Sequence, residues 1–344
     1  MKSLLLVDDV FQSRFVRDIF SQPNYEVDRY LFGAGEEAQN QRDDLGSIIE
    51  KIRAGRYDAV VLANPPDYWN PRKNAARNLA RLHKRWRDVS AFIGFERIFH
   101  ALAKQTSIPL YLLDEVDASV VDNSKFRFLD RCARYFKREL PANVLNAFLY
   151  TTAKTESPDS ILHNPTCRRW ARKLAPISIG ISDEQFARAS AVKTEKKIDV
   201  FFAGQFANRP HRQIGRDALL KLKADGFRVH ISEENYPEEV FHEYCAESLL
   251  CWSPEGFGAD CYRHYEIAAC GSVPLRRHSP LFPYAPMREN VECIYYLHES
   301  FDLYDAARTA LREPDRLVPM GRKAQERVRD FHRYSRLAEY ILTG

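Results

Sequence analysis

Short, wholly apolar runs separated by amphipathic stretches recur along this chain. Leu4–Val7 is the first and stops at Asp8-Asp9. Asp58–Ala63 is the second, ended by Asn64-Pro65-Pro66, and Ile108–Leu113 is the third, ended by Asp114-Glu115-Val116-Asp117. Runs this short without polar alternation suit strands buried on both faces of a parallel sheet. Amphipathic helices fit between them, over Gly46–Ala54 and Ala91–Lys104. The alternation predicts a doubly wound α/β domain. Phe126–Leu140 closes this half before the break at Pro141, and the polar stretch Thr151–Asn164 reads as a loop.

A second alternating set follows the charged turn Lys193–Lys197. Strand Asp199–Ala203 runs into the loop Gly204–Arg212, then helix Gln213–Ala224, strand Phe227–Ile231, helix Pro237–Glu247 and strand Ser248–Trp252. Glu292–Leu297 is a further strand. Gly321–Leu342 reads as one arginine-rich helix with Val328, Phe331, Leu337 and Ile341 at apolar positions. A chain of 344 residues is too long for one ordinary core and suits two domains.

The stretch 251–275 carries the most chemistry. It reads as a strand end, a loop with Gly256 and Gly258, a short helix, and the start of another strand. Glycines without a Cβ let backbone approach a ligand closely. Asp260 is placed to cap the helix and Gly271 to end it after Cys270. Arg263 and Glu266 are three apart and share a helix face. An arginine at a loop–helix junction suits a phosphate, because free N–H groups and the helix dipole favour an anion there. A glutamate one turn on accepts hydrogen bonds from sugar hydroxyls. Phosphate beside ribose describes a nucleotide.

The run from Gly256 to Leu275, with its Arg-x-x-Glu pair and Ala-Cys-Gly-Ser-Val-Pro ending, resembles the donor-binding motif of GT-B glycosyltransferases. Their fold is α/β, with two Rossmann-like domains facing a cleft, and the nearest pattern is that of the exostosin-like and CgeB-like branches. The resemblance implies that Arg263 binds the donor diphosphate and Glu266 the ribose, with Gly256, Gly258, Asp260 and Tyr262 around them. It also implies an acceptor-side domain over 1–178, a donor domain over 179–325, and a C-terminal crossover helix, 326–344, that returns to the first domain. One departure matters. Many retaining members carry a second glutamate eight residues before the ribose-binding one, where this chain has Gly258, and Glu255 lies three residues further upstream. The stereochemical outcome stays open, with inversion as the expectation.

Other candidates surround this motif. Gly204, Arg209 and Arg212 follow the first strand of the second half, where crevices form at the carboxyl ends of strands. Tyr236 follows the next strand and is placed to stack on a base. His230 and His242 show no metal-ligand spacing. An inverting transfer needs a general base. The strand-end acids Asp114, Asp117 and Asp9 are the candidates. A bound metal is not expected, because arginine and the helix N-terminus supply positive charge. The donor half also lacks an Asp-x-Asp strand end.

Composition narrows the partners. A formal charge of +4 suits anionic donors or membrane headgroups, and is too dispersed to argue for nucleic acid. The basic segment Trp69–Arg87 reads as a face for anionic glycan, lipid surface or water. The opening apolar run is too short for a secretory leader, no run reaches membrane-spanning length, and seven cysteines without Cys-x-x-Cys fit a reduced, cytoplasmic protein. The expected activity is metal-independent transfer of a hexosyl or pentosyl group from a UDP- or GDP-sugar, with no separate cofactor, to a glycan, lipid-linked or other hydroxyl acceptor, as in polysaccharide biosynthesis. A sugar-nucleotide epimerase and a non-catalytic nucleotide-binding relative remain open. A response regulator does not, because the strand that needs a terminal aspartate ends at Asn64.

Overall fold

The structure, a computed structural model, describes residues 1–8, 14–31, 44–64, 86–122, 125–149, 163–207, 209–234 and 236–343. Asp9 and most of the basic segment Trp69–Arg87 lie outside the described residues. The chain divides into two compact units. One comprises Met1–Ile177, Leu281–Pro283 and Ala338–Gly344; the other comprises Ser178–Pro280 and Tyr284–Leu337.

The first unit is built on a six-stranded sheet of order β2-β1-β3-β4-β5-β6, every pairing parallel. Its strands are β1 (Lys2–Asp8), β2 (Tyr25–Leu31), β3 (Ala59–Ala63), β4 (Leu110–Asp114), β5 (Arg134–Lys137) and β6 (Leu174–Pro176). Its helices are α1 (Arg14–Asp18), α2 (Leu45–Arg53), α3 (Trp86–Lys104), α4 (Phe126–Arg131) and α5 (Pro165–Ala171). The central strands β3 and β4 are buried at every residue, which is why their sequences are continuously apolar. Asp44 starts α2 by accepting from Ser47 N, and buries Ile48, Ile49 and Ile52 on one face. The Phe126–Leu140 segment is two elements rather than one, with α4 giving way to β5. In the last turns of the chain, the Tyr340 ring packs edge-on against Phe136, at 5.3 Å, and its hydroxyl donates to Pro176 O.

The second unit has a five-stranded parallel sheet of order β11-β10-β9-β7-β8. These are β7 (Ile198–Ala203), β8 (Val229–Ser232), β9 (Ser248–Ser253), β10 (Val273–Arg277) and β11 (Ile294–Tyr296). The helices are α6 (Asp183–Ala191), α7 (Pro210–Ala224), α8 (Glu238–Glu247), α9 (Tyr262–Ala269), α10 (Leu303–Leu311) and α11 (Pro314–Arg327), and α12 (Tyr334–Thr343) begins here. Trp252 fills the core under α7, where a Cβ on Gly215 would collide with its ring at 2.1 Å. The single C-terminal helix expected over Gly321–Leu342 is interrupted. A π turn over Val328–His332 separates α11 from α12, and beside it Ile181 N donates to His332 O while Ile181 O accepts from Tyr334 N. Val328, Leu337 and Ile341 are buried as the pattern required, but Phe331 falls in the π turn and is 37% exposed. Among the described residues, no helix is long and apolar enough to cross a membrane.

Candidate nucleotide site

In the second sheet β7 has β8 on one side and β9 on the other, so the chain reverses direction across the sheet between β7 and β9. In open parallel sheets a crevice forms at such a reversal, beyond the carboxyl ends of the two strands. Here those ends lead into Gly204–Arg212 and into the loop after Ser253, the two segments singled out in the sequence.

The two loops are laced together by arginine and histidine side chains. Arg212 donates to Gln205 O at 3.3 Å and to Glu255 O at 3.1 Å. Arg209 donates to Gly256 O at 3.3 Å, and its guanidinium lies 4.2 Å from the centroid of the Phe257 ring. His211 Nε2 lies 3.2 Å from Glu255 O. From α9, the Arg263 guanidinium lies over the Phe202 ring at 5.3 Å and against the backbone of Gly204. Gly204 has a φ of +152°, and a Cβ there would stand 3.0 Å from Arg263 Nη2. Gly204 therefore makes room for the arginine, a role its position after the strand does not reveal.

Three guanidiniums thus meet at the mouth of β7 and β9, and among the described residues none is paired with a carboxylate. Arg212 records their proximity: burial pushes its pKa down, and the Arg263 and Arg209 charges push it further. Its Nε is buried without a partner. Uncompensated positive charge of this kind is costly unless an anion joins it. The two helices that open at the site add to it. Neither α7 nor α9 has a side-chain cap or an acid in its first turn, so their N-terminal dipoles are unopposed.

Asp260 does not cap α9. Cys261 occupies that position, and the Asp260 carboxylate accepts instead from Ile179 N at 2.8 Å and from the Tyr265 hydroxyl. It anchors the loop to the start of the second unit. Gly271 does end the helix, with a φ of +74°. Gly256 and Gly258 lie in the ligand loop, but both have ordinary backbone angles. Gly256 N donates to Cys261 Sγ at 3.0 Å, and the Cys261 thiol donates to Gly258 O at 3.3 Å. Tyr262 and Glu266 are half-buried on the first turns of α9. Sequence reasoning missed His264 altogether. Its Nε2 lies 2.9 Å from Ala259 O and its Nδ1 2.6 Å from Ser253 Oγ, so the imidazole ties the loop to the end of β9. Burial holds this histidine well below its ordinary pKa. A histidine in the middle of the motif was the available signal.

Tyr236 joins a different cluster. Its hydroxyl is 3.2 Å from His230 Nε2 and its ring 5.0 Å from that of Tyr244. Among the described residues no hydrogen bond or ring contact links it to the arginines. His242 is buried.

In the first unit, Asp114 is a poor candidate for a base. It is 1% exposed and takes hydrogen bonds from Lys125 and Lys137, both at 3.2 Å, and from the Tyr135 hydroxyl at 2.5 Å. Burial alone would raise its pKa, but Lys137 and Lys125 together hold it below the ordinary value. A carboxylate satisfied by two buried ammonium groups organises its unit and has little tendency to take a proton. Asp117 is 41% exposed and paired with Arg138.

No family model matches the chain, and no curated protein does. Solved structures do. A glycosyltransferase from Rickettsia africae aligns over 99% of this chain and 97% of its own, with TM-score 0.56 at 11% identity. Sucrose-phosphate synthase from Thermosynechococcus elongatus aligns over 99% and 97%, with TM-score 0.53 at 12% identity. HepE of Anabaena, in complex with UDP, aligns over 99% and 98%, with TM-score 0.51 at 11% identity. At such identities the likeness is one of fold: two parallel-sheet Rossmann-like domains, as in GT-B glycosyltransferases. The exostosin-like and CgeB-like branches are not among these three.

Proposed function

We propose that the protein is a nucleotide-sugar glycosyltransferase whose donor diphosphate is held by Arg209, Arg212 and Arg263. The observation that carries this reading is the meeting, at the β7/β9 reversal, of three guanidiniums that pair with no carboxylate among the described residues, beside two helix N-termini without a side-chain cap. The UDP-bound HepE, of like fold, supports a uridine nucleotide as the first ligand to test. Glu266, on the same helix face as Arg263, accepts from the ribose, while Gly204 leaves the room in which Arg263 reaches the phosphates.

The chemistry follows from charge. As the glycosidic bond to the diphosphate breaks, negative charge grows on the leaving phosphate oxygen. Preorganised guanidiniums and amide dipoles stabilise that charge more than the ground state, which lowers the barrier. This reading makes transfer metal-independent, because the positive charge a divalent ion would bring is already there. The acceptor is a glycan or another hydroxyl compound, as polysaccharide biosynthesis requires. Inversion needs a general base to deprotonate the acceptor hydroxyl, and the carboxylates of Asp117 and Asp9 are the ones to test.

A thermal-shift screen against UDP, GDP, CMP and TDP sugars tests the reading, since a ligand that binds only the folded state must raise its stability. Stabilisation by a nucleoside diphosphate in excess EDTA supports it. No shift with any of them, or a shift that requires manganese or magnesium, contradicts it.

A further inference from the structure

The ligand loop displays a side chain that the diphosphate reading leaves without a task. Phe257 is 84% exposed, at the tip between Gly256 and Gly258. A single exposed apolar residue is ordinary and by itself calls for no account. This one differs because its loop is tied down on both sides and one face of its ring is covered. The Arg209 guanidinium covers one ring face from 4.2 Å while bonding to Gly256 O. The Cys261 thiol takes Gly256 N and gives to Gly258 O, and Gly256 N also donates to Gly258 O at 3.1 Å. His264 fixes the next residue through Ala259 O. With one face under Arg209 and most of the ring in solvent, the opposite face stands open.

A fixed aromatic face with a negative quadrupole attracts the weakly positive C–H face of a ring that is polar at its rim. A pyranose is such a ring. Holding the phenyl in advance removes the ordering cost that a mobile side chain would impose on binding. We propose that Phe257 is a sugar-stacking platform that receives one hexopyranose ring, from either the donor or the acceptor, beside the arginine site. The idea rests on the glycosyl-transfer reading above, but its test separates the two.

Saturation-transfer NMR with the methyl glycosides of glucose, galactose and mannose tests the platform directly on the full chain. UDP affinity is measured in parallel on wild type, Phe257→Ala and Phe257→Trp. Because the side chain is exposed, both variants should fold with unchanged melting behaviour. The expected result is saturation of at least one glycoside by wild type and by Phe257→Trp, and a loss of about fivefold or more in Phe257→Ala, with UDP affinity within about twofold throughout. Comparing UDP with UDP-glucose assigns the ring: an added affinity for UDP-glucose that disappears in Phe257→Ala places the donor sugar there, and its persistence places the acceptor. Equal saturation in Phe257→Ala, no saturation by wild type, or UDP affinity falling in step would each overturn the proposal. Failure of UDP to bind at all would instead overturn the glycosyl-transfer reading.

Discussion

The guanidinium of Arg263 occupies the space that a side chain on Gly204 would need: Nη2 would be 3.0 Å from that Cβ, and Phe202 Cζ only 3.3 Å. The glycine at the exit of β7 thus leaves the room that the arginine of α9 takes up. Gly204→Ala should displace Arg263 and impose an unfavourable backbone angle, a cost of about 1–3 kcal/mol. UDP affinity measured by calorimetry should fall about tenfold, which is ~1.4 kcal/mol. Unchanged affinity would mean that Arg263 is not a ligand contact.

Glu266→Gln should weaken nucleotide binding without altering the melting temperature, because the side chain is half-buried on a helix whose core face is made by other residues. In the wild type, ribose-containing nucleotides should bind more tightly than their deoxyribose counterparts. Equal affinities for UDP and its deoxy analogue would remove the role assigned to Glu266.

Asp114→Asn should act on stability. It leaves Lys125 and Lys137 buried without the carboxylate they share, and breaking a buried pair in this way costs about 3–5 kcal/mol. Turnover per folded molecule should fall far less than the ~100-fold or more expected for loss of a general base. A well-folded variant with that kinetic loss would restore Asp114 as the base.

Stability should fall as the solution is acidified from neutrality. Burial pushes the pKa of His332 down to about 3, and it also lowers His264 and His242. The unfolded chain binds a proton at each histidine below about pH 6.5, while burial makes the folded chain bind it only at lower pH. The unfolded state therefore takes up more protons; for His332 stability is lost between about pH 6.5 and 3, by up to ~1.4 kcal/mol per pH unit, and His264 and His242 add loss of the same sign. Urea midpoints at pH 7 and pH 5 measure this, and His332→Asn should flatten the dependence. A midpoint independent of pH would contradict it.

How far this could be read from sequence differs by element. Strands β1, β3, β4, β7 and β9 are legible because burial on both faces leaves an uninterrupted apolar run. Strand β2 is not, because Tyr-Glu-Val-Asp-Arg-Tyr-Leu at a sheet edge mixes charge into the strand. Strand β5 hides behind α4, whose apolar residues run on into it. In the candidate site, the sequence singles out Arg263 by its spacing to Glu266 and the flanking glycines, and the structure sets it beside Arg209 and Arg212. The same local reading misassigned Asp260, since its partners Ile179 and Tyr265 include one 81 positions away, a distance no cap rule covers. It also favoured Asp114, because a strand-end acid looks the same in sequence whether it faces solvent or two buried lysines.

The arginine cluster is the centre of this account, and one titration tests it most directly: UDP against wild type and Arg263→Ala in excess EDTA, followed by calorimetry. Loss of a charge-assisted diphosphate contact should cost about 2–4 kcal/mol, so the variant should bind at least ~30-fold more weakly while the wild type binds without metal. Affinities within about twofold of each other, or wild-type binding that appears only when manganese or magnesium is restored, would contradict the assignment.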